Sequence, residues 1–434
     1  FFKNNGYQFA YSCKGDSFLW INDVRKFDIL PLNSHLLISS DVSTSWFNEE
    51  NGLERHTHSK KLVYADEVTL TGLYYETAEK GKQKSKLTAC NLENGTVKFS
   101  VEVPLEFDWT EVLKVNDSIL LIAASGLHGL NLNSGKIWSI SDVTGENNTQ
   151  KLIQSIINPN AFRVKQSSFL SSEKENVITQ ICSNILRHED KIYFAGKTNL
   201  FCLSINGELN WKVDLGANPT SKSALFVNNG KLYMLNLGVA NFKEIQVVYG
   251  SPFFMQLDLD SGKVLFNHTL PMFAYPVDFK ITATDLVLAG KNNLYLIDLK
   301  DGRFYNEIDV NELRYGNFQE FVNGDQYYVE MEGYFVPLNF INDNAIYFHS
   351  DHGKVYGVEG GRIQYEYHES ELYKFDKKFK GYKLIRQKFK TYVLNSNFEL
   401  VAVLDTDVPA TVVKDKLLYF HGVRLNVLSD ENFK

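Results

Sequence analysis

The chain has 434 residues, of which 44% are hydrophobic and 14% aromatic, enough apolar side chain to bury one or more large cores. Its formal net charge of −7 argues against a nucleic-acid binder, because such a protein would carry an excess of basic residues. The longest apolar stretch, residues 119–127, is too short and too interrupted to span a bilayer.

The chain begins with Phe1 rather than Met, so we expect that an N-terminal segment has been removed. Such a segment is where a secretion signal or a lipid anchor would lie. We therefore favour a periplasmic or cell-surface location and leave a cytoplasmic one open. Residues 16–23 (DSFLWIND) form the first predicted strand, and it has no evident hairpin partner of its own.

Four cysteines, Cys13, Cys90, Cys182 and Cys202, are well separated, and none forms a Cys-x-x-Cys pair. A zinc site or redox motif is therefore not expected, and the cysteines are predicted to be small buried hydrophobes. The disulfide state of Cys182 and Cys202 stays open.

One phrase recurs along the chain, in which alternating apolar residues lead to a polar residue and Gly, followed by an aromatic residue. Its strong copies are LNLNSGKIW at 130–138, LSINGELNW at 203–211, LDLDSGKVLF at 257–266 and IDLKDGRFY at 297–305. Weaker copies lie at 48–56, 91–99, 357–365 and 394–400. The alternation predicts a β-hairpin, in which Gly supplies the positive φ of a tight primed turn. The aromatic residues predicted to pack from the returning strand against a neighbouring sheet are Phe99, Trp138, Trp211, Phe266 and Tyr305.

A second phrase, an apolar strand, a polar turn and another apolar strand, precedes the first. It occurs at 116–132, 189–205, 284–299, 343–358 and 414–428. Together the two phrases predict a meander of about four short strands per copy, which is a β-propeller blade. No sustained helical periodicity interrupts them, except over residues 150–157, within a predicted insertion at about 140–188.

The hairpin turns give the number of blades. Eight turn anchors lie at positions 52, 95, 135, 207, 262, 302, 361 and 397, and the spacing of the last copies suggests that one is spurious. A partial copy at 418–432 lacks its last strand, so we expect the strand at 16–23 to complete that blade and close the ring. The prediction is one all-β propeller domain over residues 1–434, with repeats at about 30–432 and eight blades, or seven as the alternative.

The repeat resembles that of pyrroloquinoline-quinone-type propellers, in which a Ser/Thr-Gly-Lys turn is followed by a Trp that docks neighbouring blades. The best matches are Ser134–Lys136 with Trp138, Asn206-Gly207 with Trp211, and Ser261–Lys263 with Phe266. Elsewhere Phe, Tyr or His replaces the Trp. The resemblance covers roughly residues 30–432 and specifies the fold more firmly than the activity.

That family contains two functional groups. The quinone-dependent dehydrogenases use a pair of adjacent cysteines and a calcium site, and this sequence has neither adjacent cysteines nor a recognisable calcium loop. Other members, such as the outer-membrane assembly lipoprotein of Gram-negative bacteria, are non-enzymatic and bind protein partners through loops. The resemblance therefore implies a scaffold, with no enzyme activity and no cofactor.

Two pairs of histidines are candidates for metal ligands. His56 and His58 lie on one face of a predicted strand, but no third or fourth ligand is identifiable, so a solvated strand is favoured. Turn chemistry explains the polar run from His349 to His352. We therefore assign no catalytic, cofactor-binding or metal-binding residues.

Two unusual segments remain. Residues 374–390 interleave eight Lys/Arg with aromatic residues, which indicates either a patch for an acidic partner or, as we favour, an amphipathic strand pair with lysines outward. Residues 315–340 are aromatic and punctuated by Gly, and blade core is favoured over an exposed ligand surface.

The predicted function is non-enzymatic binding of a protein partner through loops on one face of the propeller, with the loops at 140–188 and 315–340 as the favoured contacts. The alternatives are a small-ligand or carbohydrate binder, or an enzyme, that uses the central channel.

Overall fold

A computed structural model describes residues 2–433 apart from 5–6, 13–16, 24–27, 33–34, 40–43, 49–52, 59–60, 67, 77–84, 104–110, 124–125, 141–180, 217–220, 243–244, 271–276, 311, 414 and 423. The chain divides into two compact units, Phe1–Leu270 and Pro271–Lys434. The predicted helix at 150–157, most of the predicted insertion and the turn anchor at 52 lie outside the described residues.

The first unit consists of antiparallel sheets that follow one another along the chain. A three-stranded sheet (β1–β3) is followed by five four-stranded sheets, of which the last contains β20, β21, β24 and β25 and an inserted hairpin, β22–β23. The strands are β1 (Phe2–Asn4), β2 (Tyr7–Ser12), β3 (Ser17–Asp23), β4 (Asp28–Leu32), β5 (His35–Ser39), β6 (Thr44–Asn48), β7 (Glu54–His58), β8 (Lys61–Asp66), β9 (Thr71–Glu76), β10 (Ser85–Asn91), β11 (Val97–Val103), β12 (Glu111–Lys114), β13 (Ile119–Ala123), β14 (Leu127–Asn131), β15 (Ile137–Ile140), β16 (Leu186–His188), β17 (Lys191–Ala195), β18 (Asn199–Ser204), β19 (Leu209–Asp214), β20 (Ser223–Asn228), β21 (Lys231–Asn236), β22 (Val239–Phe242), β23 (Ile245–Val248), β24 (Phe253–Asp258) and β25 (Val264–Thr269).

The second unit has the same kind of sheet. Its elements are β26 (Asp278–Ile281), β27 (Asp285–Ala289), β28 (Asn293–Asp298), β29 (Phe304–Asp309), α1 (Glu312–Tyr315), β30 (Phe318–Val322), β31 (Tyr327–Met331), β32 (Tyr334–Pro337), α2 (Leu338–Ile341), β33 (Ile346–Ser350), β34 (Lys354–Glu359), β35 (Arg362–His368), β36 (Leu372–Phe379), β37 (Tyr382–Gln387), β38 (Lys390–Leu394), β39 (Leu400–Asp405), β40 (Thr411–Val413), β41 (Lys416–His421) and β42 (Arg424–Leu428). Three-residue 3₁₀ turns occur at Gly324–Gln326 and Glu369–Glu371, and a four-residue one at Asp430–Phe433.

The all-β class and the four-stranded antiparallel blade predicted from the repeats are confirmed. Among the described residues there are eight four-stranded meanders, counting β36–β39 within a larger sheet. The seven predicted turn anchors that are described, at 95, 135, 207, 262, 302, 361 and 397, each fall between the third and fourth strands of a different meander, so none of these seven is spurious. That all of these sheets form one domain stays a prediction.

The inner strands of the sheet β12–β15 are apolar on both faces because this sheet packs between two others. In β13, Leu120 and Ile122 pack against the sheet β8–β11, whereas Leu121 and Ala123 pack against the sheet β16–β19. The outermost strand of the same sheet, β15, is only half-buried. Continuous apolar runs inside and alternation outside are what a stack of blades requires.

The turn type differs from the two-residue primed turn that was predicted. The loop before β15 contains four residues, because Asn131 N donates to Lys136 O at 2.8 Å and Gly135 N donates to Asn131 O at 2.8 Å. The Asn131 side chain accepts from the backbone N–H groups of Asn133 and Ser134, which stabilises the longer loop. Gly135 still adopts positive φ (68°), as predicted, at the last loop position.

The predicted docking of aromatic residues on neighbouring sheets is confirmed where the contacts are described. A Cβ added to Gly135 would lie 2.8 Å from the Phe99 ring, and one added to Gly207 would lie 2.3 Å from the Trp138 ring. Trp211 covers Gly262 in the same way, at 2.6 Å. Each ring therefore rests on the turn glycine of the next sheet along the chain.

The docking role predicted for Tyr305 is wrong. Its side chain is 54% exposed, and its hydroxyl donates to Asp285 Oδ1 at 2.9 Å. The next residue, Asn306, lies against Gly361 of the following sheet, with its Nδ2 atom 3.1 Å from the position of an added Cβ. Side chains on a strand alternate between its two faces, so the residue next to Asn306 projects away from the following sheet.

The strand pairing at the two ends also differs from the prediction. The strand at 16–23 has its own hairpin partner, because β3 pairs with β2 from Tyr7↔Asp23 to Ser12↔Ser17. Strands β40, β41 and β42 form a separate three-stranded sheet, and among the described residues β3 belongs to the sheet β1–β3 and does not supply its fourth strand. The alternating segment YQFAYS, which lies directly before β3, is the local signal for this partner strand.

An ion pair with a buried carboxylate joins the sheets β8–β11 and β12–β15 of the first unit. Lys114 Nζ lies 2.7 Å from Asp66 Oδ2, and the Asp66 side chain is only 4% exposed. Burial alone would raise the pKa of Asp66, but hydrogen bonds from Lys114, Thr69 and Val68 outweigh burial and hold this pKa below its ordinary value. A carboxylate whose pKa is lowered by folding stabilises the folded state at pH values above its unfolded-state pKa. This stabilisation is lost as pH falls through the folded-state pKa.

We expect Lys114→Met to lower the free energy of unfolding at pH 7, because the buried Asp66 carboxylate loses its cation. The difference from wild type should shrink as pH falls through the lowered folded-state pKa of Asp66, because the protonated carboxyl group no longer needs a cation. Urea unfolding at pH 7 and pH 3 measures both effects, with the exposed Lys136→Met as the control. Equal losses in the two variants would contradict the assignment.

The second unit contains an insertion that crosses from one sheet to the next. Strand β30 belongs to the sheet β30–β33–β34–β35, but β31 and β32, which follow it, join the edge of β36. The result is a six-stranded sheet in the order β32–β31–β36–β37–β38–β39. Phe335 N donates to Phe398 O at 3.1 Å, and Tyr334 forms an isolated bridge with Glu399. The first strand thus contacts the turn between the last two, and the sheet curls around a core of Tyr328, Phe335, Ile385 and Leu394.

Candidate functional site

A cavity of about 550 Å³ lies in the second unit beside the curled sheet. Its polar wall combines side chains from β31, β33, β36 and β37 and from the turns at 369–371 and 388–389. The volume falls within the range of small-molecule sites in proteins, roughly 300–1,000 Å³. The residues that give the cavity its character are Tyr327, His349, Glu369, Lys374, Arg386 and Lys388.

Three of these side chains form a row across adjacent strands. The register pairs Tyr327 with Lys374, and Lys374 with Arg386. Directly opposite residues in a sheet project from the same face, with Cβ atoms about 5 Å apart. Two cations are therefore held side by side, and Lys374 Nζ also lies 5.8 Å from the centre of the Tyr327 ring.

His349 connects this row to the opposite wall. Its Nε2 atom lies 3.2 Å from the Tyr327 hydroxyl, and the two rings meet edge to face at 5.4 Å. Glu369 Oε1 lies 3.2 Å from His349 Nδ1, close enough for an ion pair but outside hydrogen-bond geometry. The imidazole therefore sits between a carboxylate and a phenol and holds the Tyr327 hydroxyl toward the cavity wall.

The cavity carries more positive than negative charge. Arg386 donates from Nε to Lys388 O at 3.3 Å and from an Nη to Asp407 O at 3.4 Å, and both acceptors are neutral carbonyls. Within the described part of the chain, no carboxylate lies within 4 Å of the cationic groups of Lys374, Arg386 or Lys388. The only acidic residue in the wall is Glu369, which is engaged with His349.

An apolar surface lies on the inserted hairpin β31–β32 and on α2. Met331, Tyr334 and Phe340 expose 48%, 47% and 69% of their area. Met331 and Tyr334 are paired across the hairpin, and the Phe340 ring meets the Phe398 ring at 5.5 Å. We call these four side chains on β31, β32, α2 and the turn at 395–399 the hairpin surface.

Phe398 holds an unusual backbone conformation in this surface. Its φ is 64°, in the left-handed region that a bulky side chain rarely adopts. Three neighbours fix it there: Lys383 Nζ lies 4.0 Å from its ring centre, and the Tyr328 and Phe340 rings pack against it. Burial and the neighbouring Lys378 lower the pKa of Lys383.

The residues that the sequence offers as candidate ligands do not come together in one site among the described residues. The side chains of His56 and His58 lie outside the described residues. Asp351 accepts from Asn317 N at 2.8 Å and from Asn317 Nδ2 at 2.7 Å, and Ser350 donates to Tyr315 O, so both stabilise a turn. No cluster of three or more metal-ligating side chains occurs among the residues that are described. The described cysteines Cys90, Cys182 and Cys202 are buried thiols.

The two unusual segments each divide between core and surface. In 315–340, Tyr328 and Phe335 are core, whereas Tyr334 and Phe340 are exposed. Residues 374–390 contain the strand pair β36–β37 with exposed lysines, as favoured, and Lys374 and Arg386 also line the cavity. The cavity could not be predicted from the sequence, because the strand that aligns Tyr327 with Lys374 comes from an insertion. The one available signal was the polar run at 349–352, which contains His349.

No helix among the described residues is long and apolar enough to cross a membrane. No family model matches the sequence, and no curated protein matches it. Solved structures that the chain is similar to include BamB from Moraxella catarrhalis, with 10% identity, a TM-score of 0.38 and coverage of 81% of this chain and 90% of that one. Another is KlHsv2 with loop 6CD replaced by a Gly-Ser linker, with 7% identity, a TM-score of 0.35 and coverage of 79% and 98%.

Proposed function

We propose that this protein is a non-enzymatic interaction module that binds a protein partner through segments inserted between the strands of its blade-type sheets. The partner is proposed to belong to an envelope or surface assembly, in line with the location favoured by the sequence. The observation that carries the proposal is the hairpin surface, in which Met331, Tyr334 and Phe340 are about half or more exposed.

Two physical arguments support this surface as the contact. Several large apolar side chains are exposed on this one segment, and aromatic residues carry much of the binding energy at protein interaction sites. The hairpin is also held in place, because β31 pairs with β36 and Phe335 N donates to Phe398 O. A pre-ordered surface loses little conformational entropy on binding.

Affinity purification of the tagged full chain from its native host, with mass spectrometry of the eluate, tests the proposal. We expect a stoichiometric protein partner, and we expect Tyr334→Ser with Phe340→Ser to lower its recovery about tenfold or more, since hot-spot aromatics each contribute about 2 kcal/mol or more. Both side chains are substantially exposed, so the thermal midpoint should change little.

The matched control is Leu313→Ser, because Leu313 is 95% exposed in α1, outside the hairpin surface. It should leave recovery unchanged. Recovery of no partner under mild conditions would count against the proposed function, and equal recovery with all variants would remove the hairpin surface from it.

A further inference from the structure

The cavity beside the curled sheet has positively charged side chains that no carboxylate of the described residues neutralises. Lys374 and Arg386 stand directly opposite each other on neighbouring strands, and like charges in that position destabilise a sheet. Lys388 adds a third cation to the same wall. The whole chain has a net charge of −7, so this local excess of cations does not follow from composition.

The groups around the cations are suited to an anionic oxygen ligand. A guanidinium and two ammonium groups form the strong, charge-assisted hydrogen bonds that carboxylate and phosphate oxygens accept. The Tyr327 hydroxyl, fixed by His349 Nε2, and the Gln387 side chain supply neutral polar contacts in the same wall. Gln387 Nε2 donates to Ser370 O at 2.6 Å, which holds the two walls together.

We propose that this cavity binds a small organic anion that carries carboxylate or phosphate groups, with Lys374, Arg386 and Lys388 as its charged contacts. The cavity volume of about 550 Å³ accommodates a small metabolite with one or more such groups. The anion neutralises cations that would otherwise repel one another, so its binding stabilises the second unit. This site is separate from the hairpin surface and does not depend on the protein partner.

Calorimetric titration of the purified full chain with citrate and with inorganic phosphate, at constant ionic strength, tests the proposal. Saturable binding of citrate alone identifies a carboxylate ligand, and binding of phosphate alone identifies a phosphate ligand. We expect Lys374→Gln with Arg386→Gln to weaken binding about tenfold or more, because the charge-assisted hydrogen bonds of both side chains to the anion are lost.

The matched control is Lys378→Gln with Lys380→Gln, which removes the same charge from exposed positions outside the cavity wall. It should change the affinity less than twofold. Without ligand, the cavity variant should unfold at the same temperature as wild type or a higher one, because a repulsive pair is gone. Equal weakening by both pairs, or no saturable binding of either probe at millimolar concentration, overturns the proposal.

Discussion

Gly207→Ala is expected to lower the free energy of unfolding by about 2–5 kcal/mol, one of the largest effects of any single methyl group in this protein. Gly207 has φ of 87°, and an added Cβ would lie 2.3 Å from Trp138 Cδ2 and 2.6 Å from Cγ. The left-handed backbone costs an L-residue roughly 1–2 kcal/mol, and the overlap with the indole adds roughly 1–3 kcal/mol. Urea unfolding of the purified chain measures the sum.

Gly230→Ala is the matched control for this substitution. Gly230 also has positive φ, 69°, but no atom lies within 4 Å of an added Cβ. Its loss should therefore be about 1–2 kcal/mol, from the backbone alone. In a Trp138→Ala background, Gly207→Ala should cost no more than Gly230→Ala, and full additivity of the two changes would show that the indole does not dock on the turn.

Trp46→Ala is expected to lower the free energy of unfolding by about 3–5 kcal/mol. Trp46 is 2% exposed and packs with Leu37, Tyr74, Cys90 and Leu92, so it joins the sheet β4–β7 to the sheet β8–β11. Its indole Nε1 also donates to Leu92 O at 2.6 Å. Removal of the ring loses both the buried apolar contact and a hydrogen bond between sheets.

Trp46→Phe separates these two contributions. It keeps a buried ring but leaves the Leu92 carbonyl without the indole donor, so the expected loss is about 1–3 kcal/mol. Chemical denaturation of both variants gives the comparison. A phenylalanine variant as unstable as the alanine variant would mean that the hydrogen bond, and not the packing, dominates the contact between the sheets.

The repeated hairpin could be predicted from the sequence because its signals are local. In most copies an Asx residue, a glycine and alternating apolar residues indicate the turn within ten residues, and even the copy at 397, which has no glycine, is a true turn. There Phe398 takes the positive φ that Gly207 takes elsewhere. The turn length was missed because the side chain of Asn131 stabilises a longer loop than the glycine alone suggests.

The candidate site could not be predicted in the same way. Tyr327 and Lys374 are neighbours only because β31 leaves its own sheet and pairs with β36, a long-range choice that no local pattern records. The lysines at 374–390 look the same in sequence, and Lys374, Lys378 and Lys380 are all exposed, yet only Lys374 of these three lines the cavity. That distinction follows from strand register, which the aromatic interleaving does not reveal.

The crossing of β31 and β32 constrains how the chain can fold while it is being synthesised. The ribosome releases this hairpin before β33, β34 and β35 exist, and long before its pairing partner β36 emerges. Strand β30 likewise has no partner strand until β33 has been synthesised. The sheet that contains β30 can be completed once β35 has emerged, whereas β31 and β32 still lack β36 at that point. A nascent chain stopped before Leu372 would therefore present the edge of β31 without its partner strand, which leaves that edge open to pairing with other chains.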